Sequence, residues 1–172
     1  MLILVRHAMP AYDRHVPPDR WPLSPSGRAA ARRLPLPTDA LFAASDEVKA
    51  WQTLEHAGAV TLDPRFREAL RNERWDGPYR ELRRSYVEGS AHPGWESHAA
   101  VAARFDDGVV DLLVRSGSRP LVIASHGMAM TVWLQSRGCV TEPGAFWAAL
   151  RFPDAIAVDL DARTATVLDY PH

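Results

Sequence analysis

The chain reads as an α/β domain in three layers, with a mostly parallel central sheet and an antiparallel edge strand between two layers of helices. Three observations predict this. Short apolar runs alternate with helical stretches along the whole chain. Two of the runs, residues 2–5 and 121–124, are continuously apolar, the pattern of strands buried on both faces of a parallel sheet. Each of these two runs ends in a histidine-bearing polar segment, Arg6-His7 and Ser125-His126-Gly127. Open parallel sheets bind ligands beyond the carboxyl ends of their strands.

Taken in order, residues 2–5 form the first strand, and Pro10, Pro17, Pro18 and Pro22 make the next segment a loop. Ser24 is a helix N-cap with Pro25 at the first helical position, leading into the alanine- and arginine-rich residues 28–34, which Pro35 and Pro37 close. Residues 40–45 form a second strand. Residues 46–57 form a helix with Val48, Trp51 and Leu54 on one face. Residues 65–84 are densely charged, with helix expected in the latter half. Residues 96–115 carry Val101, Phe105, Val109, Leu112 and Leu113 as the best apolar helical stripe in the chain. After the strand at 121–124 a helix runs from Met128 to about Arg137. Residues 155–160 and 164–168 flank Asp161-Ala162-Arg163 as a hairpin or two successive strands.

The composition bounds the function. With 172 residues, 47% hydrophobic and 24% charged, the chain has the balance of one globular domain spanning 1–172. Twenty basic residues against twenty-one acidic ones leave a net charge of −1, so no overall field favours nucleic acid or an anionic membrane as partner. The apolar run at 2–5 is cut short by Arg6 and His7, too early for a signal-peptide core or a membrane span. Cytoplasmic location is the expectation. The one cysteine, Cys139, excludes an intramolecular disulfide framework and a multi-cysteine zinc site; no metal-ligand spacing is visible and no cofactor is expected.

A histidine directly after a buried strand is held rigidly at the sheet's carboxyl edge. Arg6 beside His7 adds a fork of charged donors suited to phosphate or carboxylate. Gly127 lets a backbone N–H approach a ligand at the start of a helix, where an anion is favoured. Converging, these groups make a phosphate pocket; the competing reading has each histidine packing separately and Arg6 paired with a nearby acid.

The residues carry a resemblance. Leu4-Val5-Arg6-His7-Ala8 resembles the Arg-His-Gly signature of the histidine phosphatase superfamily, the phosphoglycerate mutase-like family. Further blocks follow in the family's order: Leu23-Ser24-Pro25-Ser26-Gly27 is similar to Leu-Thr-x-x-Gly, and residues 45–53 (Ser-Asp-Glu-Val-Lys-Ala-Trp-Gln-Thr) to Ser-Pro-Leu-x-Arg-Ala-x-Gln-Thr. Residues 72–77 (Asn-Glu-Arg-Trp-Asp-Gly) resemble Asn-Glu-Arg-x-x-Gly, Glu96-Ser97 resembles the opening of the long helix, and Ser125-His126-Gly127 the second histidine motif. The resemblance implies His7 as nucleophile, Glu73 as general acid and then base, and Arg6 and the catalytic His126 as ligands of the phosphoryl oxygens, with Lys49 in the place of a further phosphate-binding arginine; Gly127 joins the phosphate-binding set by its place at the helix start. Glu68, in Phe66-Arg67-Glu68, is the alternative acid; Glu73 is preferred because Gly77 follows it at the family's spacing.

Two departures stand out. Lys49, the only lysine beside nineteen arginines, occupies the place of the family's second arginine, which keeps the charge and loses the planar fork. Met9 and Pro10 replace polar residues in the first loop. The implied activity is metal-independent hydrolysis of a phosphomonoester through a phosphohistidine, on a small phosphorylated metabolite or a phosphorylated protein. Its alternatives are a protein phosphohistidine phosphatase, a mutase-type phosphotransferase, and a phosphate-binding domain without turnover. The seven arginines of residues 65–84 either draw in an anion or form a face crossed by salt bridges. Trp51, Trp75 and Trp95 stand in or beside the blocks as pocket walls or packing, while Trp133, Trp147, His92 and His98 read as structural or exposed.

Overall fold

The computed structural model describes residues 1–73 and 77–170. Its six strands, β1 (Leu2–Arg6), β2 (Leu41–Ala44), β3 (Val60–Leu62), β4 (Leu121–Ser125), β5 (Asp154–Asp159) and β6 (Thr164–Val167), form one sheet in the order β3-β2-β4-β1-β5-β6. The first four in that order are mutually parallel, β5 runs antiparallel to β1, and β6 pairs antiparallel with β5. The antiparallel part of the sheet is thus a hairpin at one edge, formed by the two late runs that read as a hairpin or successive strands.

Alternation along the strands divides the core. Leu2, Leu4, Leu121 and Ile123 face the layer built by α3 (Tyr79–Val87), α4 (His98–Ser116), α5 (Gly127–Ser136) and α6 (Pro143–Ala149). Ile3, Val5, Val122 and Ala124 face the other side with Leu54 of α2 (Val48–Leu54), on which α1 (Pro25–Ala31) packs. Each such aliphatic side chain, once fully buried, contributes about 1.5–3 kcal/mol. This double burial is why the strands read as continuous apolar runs.

The helix ends follow their sequence signals. Ser24 Oγ accepts the Gly27 N–H at 3.0 Å with Pro25 at the first position of α1, and Ser97 Oγ accepts the Ala100 N–H at 3.2 Å to open α4. Gly117 ends α4 with φ +58°, a left-handed conformation that glycine adopts without strain. Val101, Phe105, Val109 and Leu112 are the buried stripe of α4. The helix expected within the charged segment forms as α3.

Two elements were not anticipated. β3 has three residues, none fully buried, and so offers no periodicity to read. α6 begins at Pro143-Gly144, a pair that reads as a breaker although proline is accommodated at a first helical position. No helix among the described residues is long and apolar enough to cross a membrane.

Candidate active site

The carboxyl ends of β1, β2 and β4 lie side by side, in register at Arg6↔Ser125 and Ala44↔Ala124. His7 leaves β1 still tied to β4, its N–H donating to Ser125 O at 3.0 Å. The next peptide is fixed from α2: the Ala8 N–H donates to Thr53 Oγ1 at 2.9 Å, and that hydroxyl donates to Lys49 O at 2.8 Å. Gln52 Oε1 accepts the Leu23 N–H at 2.8 Å, which ties the loop before α1 to the same helix. Thr53 and Gln52, polar residues of the sequence blocks, therefore act as loop ties. Gly27 belongs to this set, because a Cβ there would lie 2.1 Å from Met9 O.

The rings of His7 and His126 stand 5.1 Å apart between centroids, tilted by 60°. His7 Nδ1 lies 2.8 Å from Ala8 O and must donate to that carbonyl, which leaves the lone pair on Nε2. Burial, then the neighbouring His126, Lys49 and Arg6, hold the His7 pKa well below the usual histidine value against the opposing pull of the Ala8 carbonyl. Burial also depresses His126, assisted by Lys49, Arg71, Arg104 and Arg6. Both imidazoles are neutral at pH 7.

Arg6 lies over the Phe152 ring, 3.5 Å from its centroid, and donates from Nη1 to Leu150 O at 2.5 Å. The same ring is 5.2 Å from that of His7. Burial pulls the Arg6 pKa down to about 10, with Glu68 the largest opposing influence, so the guanidinium remains cationic. Among the described residues, Arg6 Nε and His126 Nε2 are buried without a hydrogen-bond partner. Such atoms cost desolvation energy unless a ligand engages them. Gly127 opens α5 beside them; a Cβ at that position would lie 3.2 Å from Trp147 Nε1 and 3.4 Å from Arg6 Nε.

Lys49 does reach this cluster, though not as an unengaged cation. Its Nζ donates to Glu47 Oε2 at 2.5 Å and to Pro18 O at 2.8 Å. Glu47 Oε1 lies 3.4 Å from His126 Nε2 and accepts the Glu68 N–H at 3.0 Å. Because His126 is neutral, that first contact is not an ion pair. Burial opposes ionisation of Glu47, but Lys49 and the Glu68 N–H outweigh it and hold the carboxyl below its usual pKa.

The two candidate acids have different surroundings. Glu73 is gripped by Arg71 (Nε, 3.1 Å) and by Arg83 (Nε, 2.8 Å; Nη2, 2.5 Å), and despite the opposing effect of burial its pKa is lowered. Glu68 lies against the second histidine's helix: its Oε1 accepts the Ala129 N–H at 2.8 Å and its Oε2 the Met128 N–H at 3.3 Å. The charged segment around them is laced by ion pairs, Arg65 with Asp63 and Asp111 and Arg67 with Asp46.

Phe152 and Glu47 were not anticipated as site residues. Phe152 carries no local signal; Glu47 had one, since it stands where the family's block has leucine, two residues from the sole lysine. Trp147, assigned to packing, does pack on the main core but also borders Gly127. Trp95 packs against Tyr86, as does His98, whose Nε2 meets Tyr86 O at 2.6 Å, while His92 Nε2 meets Ser85 Oγ at 2.9 Å. Trp51 is half-buried on the α2 side. Trp75, with Arg74 and Asp76, lies outside the described residues. Among the described residues no group of three His, Cys, Asp or Glu side chains is placed to hold a metal ion.

Solved structures share this fold. The chain resembles TTHB049 from Thermus thermophilus at 28% identity, with 98% of this chain and 97% of that one covered and a TM-score of 0.66. It also resembles YhfR from Bacillus stearothermophilus (20% identity, 96% and 94% covered, TM-score 0.70). A third relative in fold is the mycobacterial glucosyl-3-phosphoglycerate phosphatase Rv2419c (24% identity, 97% and 96% covered, TM-score 0.63). No match to a curated protein was found by sequence. The sequence profile of the histidine phosphatase superfamily, branch 1, matches residues 2–155, which contain both strand-end histidines and every loop tie between them. Matched over residues 2–155, with a histidine after β1 and a second after β4 brought close by the sheet, the chain belongs to the histidine phosphatase superfamily.

Proposed function

We propose that the protein hydrolyses phosphomonoesters through a phosphohistidine on His7. The observation that carries this reading is the state of His7: Nδ1 is committed to Ala8 O, the ring is neutral, and Nε2 keeps its lone pair next to His126. In the first step the His7 Nε2–P bond forms as the ester P–O bond breaks, and the leaving oxygen takes a proton. In the second, water gives a proton to the carboxylate that served as acid and attacks the phosphorus, the Nε2–P bond breaks, phosphate departs, and His7 is regenerated. Arg6, His126 and the Gly127 N–H meet the developing charge on the non-bridging oxygens, the main requirement of phosphoryl transfer. The partnerless Arg6 Nε and His126 Nε2 supply two such donors once His126 presents an N–H at Nε2.

The proton donor in this reading is Glu68. Both oxygens of Glu73 are taken by the side chains of Arg71 and Arg83, and Glu68 is preferred for its place. Glu68 lies on the N–H groups of Met128 and Ala129, two and three residues beyond His126. The substrate is a small phosphorylated metabolite or a phosphorylated protein.

Hydrolysis of an aryl phosphate between about pH 5 and 8, with chelator present, tests the assignment. The parent should turn over and form an acid-labile phosphoenzyme, and His7→Ala should lose both, by about a thousandfold or more in rate. Substantial turnover in His7→Ala would remove His7 as the nucleophile.

A further inference from the structure

The groups meant to receive a phosphoryl anion already face a carboxylate of the same chain. Glu47 sits at the N-terminus of α2, its side chain about 10% exposed, and Lys49 beside it is equally enclosed at 8%. One carboxylate oxygen takes Lys49 Nζ at 2.5 Å while the other lies 3.4 Å from the buried, partnerless His126 Nε2. A carboxylate spanning a cation and an imidazole offers the same oxygen-to-donor contacts that two phosphoryl oxygens would make. Electrostatically it also offsets the charge that Lys49 brings beside His7 and His126.

We propose that Glu47 is a specificity-determining residue of the phosphate subsite, an internal carboxylate that competes with the phosphoryl group for Lys49 and His126. The inference rests on the phosphatase reading above. A bare phosphate has nothing beyond its own oxygens with which to displace Glu47, and its negative charge is repelled at close range. A phosphate ester brings a leaving group whose contacts elsewhere offset that repulsion. Glu47 therefore selects esters over free phosphate and weakens inhibition by the product. Its second role, holding the Glu68 N–H at 3.0 Å, is compatible with this, because that contact uses the oxygen facing His126 and leaves the Lys49 contact on the other.

The test is direct titration with inorganic phosphate, together with its inhibition of aryl phosphate hydrolysis, in the parent and in Glu47→Gln. Glutamine keeps the size and removes the charge. The dissociation and inhibition constants for phosphate should both fall at least tenfold. A merely structural role predicts the opposite, since a loosened pocket binds less tightly. Unchanged or weaker phosphate binding in a folded Glu47→Gln, as judged by circular dichroism and melting temperature, overturns the inference. Should the unpaired Lys49 prevent that variant from folding, the double variant Glu47→Leu with Lys49→Arg removes the carboxylate and keeps one cation; tightening is again the expected result and its absence the refutation. Turnover by the parent without tightening in the variants sinks this inference alone. Absence of both phosphate binding and turnover in every protein sinks the phosphatase reading with it.

Discussion

Lowering the pH from 7.5 to 5.5 should destabilise this protein through two residues, His7 and His126. Both are buried, and both have pKa values well below the ordinary 6.5, first through burial and then through Lys49, Arg6 and, for His126, Arg71 and Arg104. The unfolded chain binds a proton at each near pH 6.5, whereas the folded chain does not. Stability therefore rises with pH across this range, is complete above 6.5, and is lost progressively as the pH falls from 6.5 towards the folded values. For a histidine that stays neutral in the folded state, the loss at pH 5.5 is RT ln 11, about 1.4 kcal/mol, so two such groups give about 2.8 kcal/mol. For a chain of this length that corresponds to a fall in melting temperature of about 5–10 °C. His56, whose pKa is lowered chiefly by burial, acts in the same direction but is largely exposed. Glu47, Asp63, Glu73 and Glu96 all have lowered pKa values, and their contributions disappear only in more acidic solution. Differential scanning calorimetry at constant ionic strength would measure the effect, in buffers free of phosphate, which would stabilise the folded state by binding. Replacing either histidine with glutamine should remove about half of the dependence. A melting temperature that changes by less than about 2 °C, or rises, between pH 7.5 and 5.5 would refute the buried-neutral assignment.

The remaining predictions address the site's parts. Glu68→Gln should slow an alkyl phosphate about 10²–10⁴-fold and an activated aryl phosphate far less, because only the alkoxide leaving group needs a proton. Glu73→Gln should show no such leaving-group dependence in steady-state rates; if it does, the acid is Glu73. Gly27→Ala places a methyl where Met9 O already lies, 2.1 Å from the added carbon, so about 1–3 kcal/mol of stability should be lost, measurable by urea unfolding. Phe152→Leu removes the ring under the Arg6 guanidinium and should raise the KM for aryl phosphate about three- to tenfold with little change in melting temperature, about 1 kcal/mol being typical of such a contact. An unaltered KM would show that Arg6 is positioned by the Leu150 carbonyl alone.

The parts of the fold legible in the sequence are those whose burial is regular. β1 and β4 are apolar on both faces, α4 repeats its buried positions at helical spacing, and Ser24-Pro25 is a cap that acts locally. β3 and α6 were illegible for the opposite reason: three half-covered residues carry no period, and a Pro-Gly start resembles a break. The same divide runs through the site. His7, His126, Arg6 and Gly127 follow strand ends, so their convergence could be read once the strands were recognised. The two-arginine grip on Glu73 and the seating of Glu68 on α5 join residues up to 61 positions apart. Spacing alone favoured Glu73, and the tertiary partners of the two acids, arginines on Glu73 and the first N–H groups of α5 on Glu68, are beyond what spacing can show. Phe152 is likewise brought beneath Arg6 by sheet pairing, 146 residues along the chain, since Arg6 faces Asp154 in the β1–β5 register.

Two of the three departures in the block after β2, Glu47 and Lys49, act as one. An arginine at 49 would present a planar fork of donors that a single carboxylate oxygen and one backbone carbonyl do not match, whereas an ammonium is satisfied by any arrangement of point acceptors. Lys49 Nζ has that irregular arrangement, Glu47 Oε2 on its own helix and Pro18 O from the loop beyond His7. Conversely, a leucine at 47 would leave the lysine enclosed with one neutral partner, and a buried ammonium without a counter-charge is strongly disfavoured. Glu47 requires a compact cation and Lys49 requires an anion, so neither substitution stands well without the other. A site losing its function by drift would not be expected to acquire the matching acid within two residues while keeping the loop ties from Thr53 and Gln52 intact. Coupled replacement of this kind fits the proposed retuning of the phosphate subsite, and it is why position 49 must be judged together with position 47.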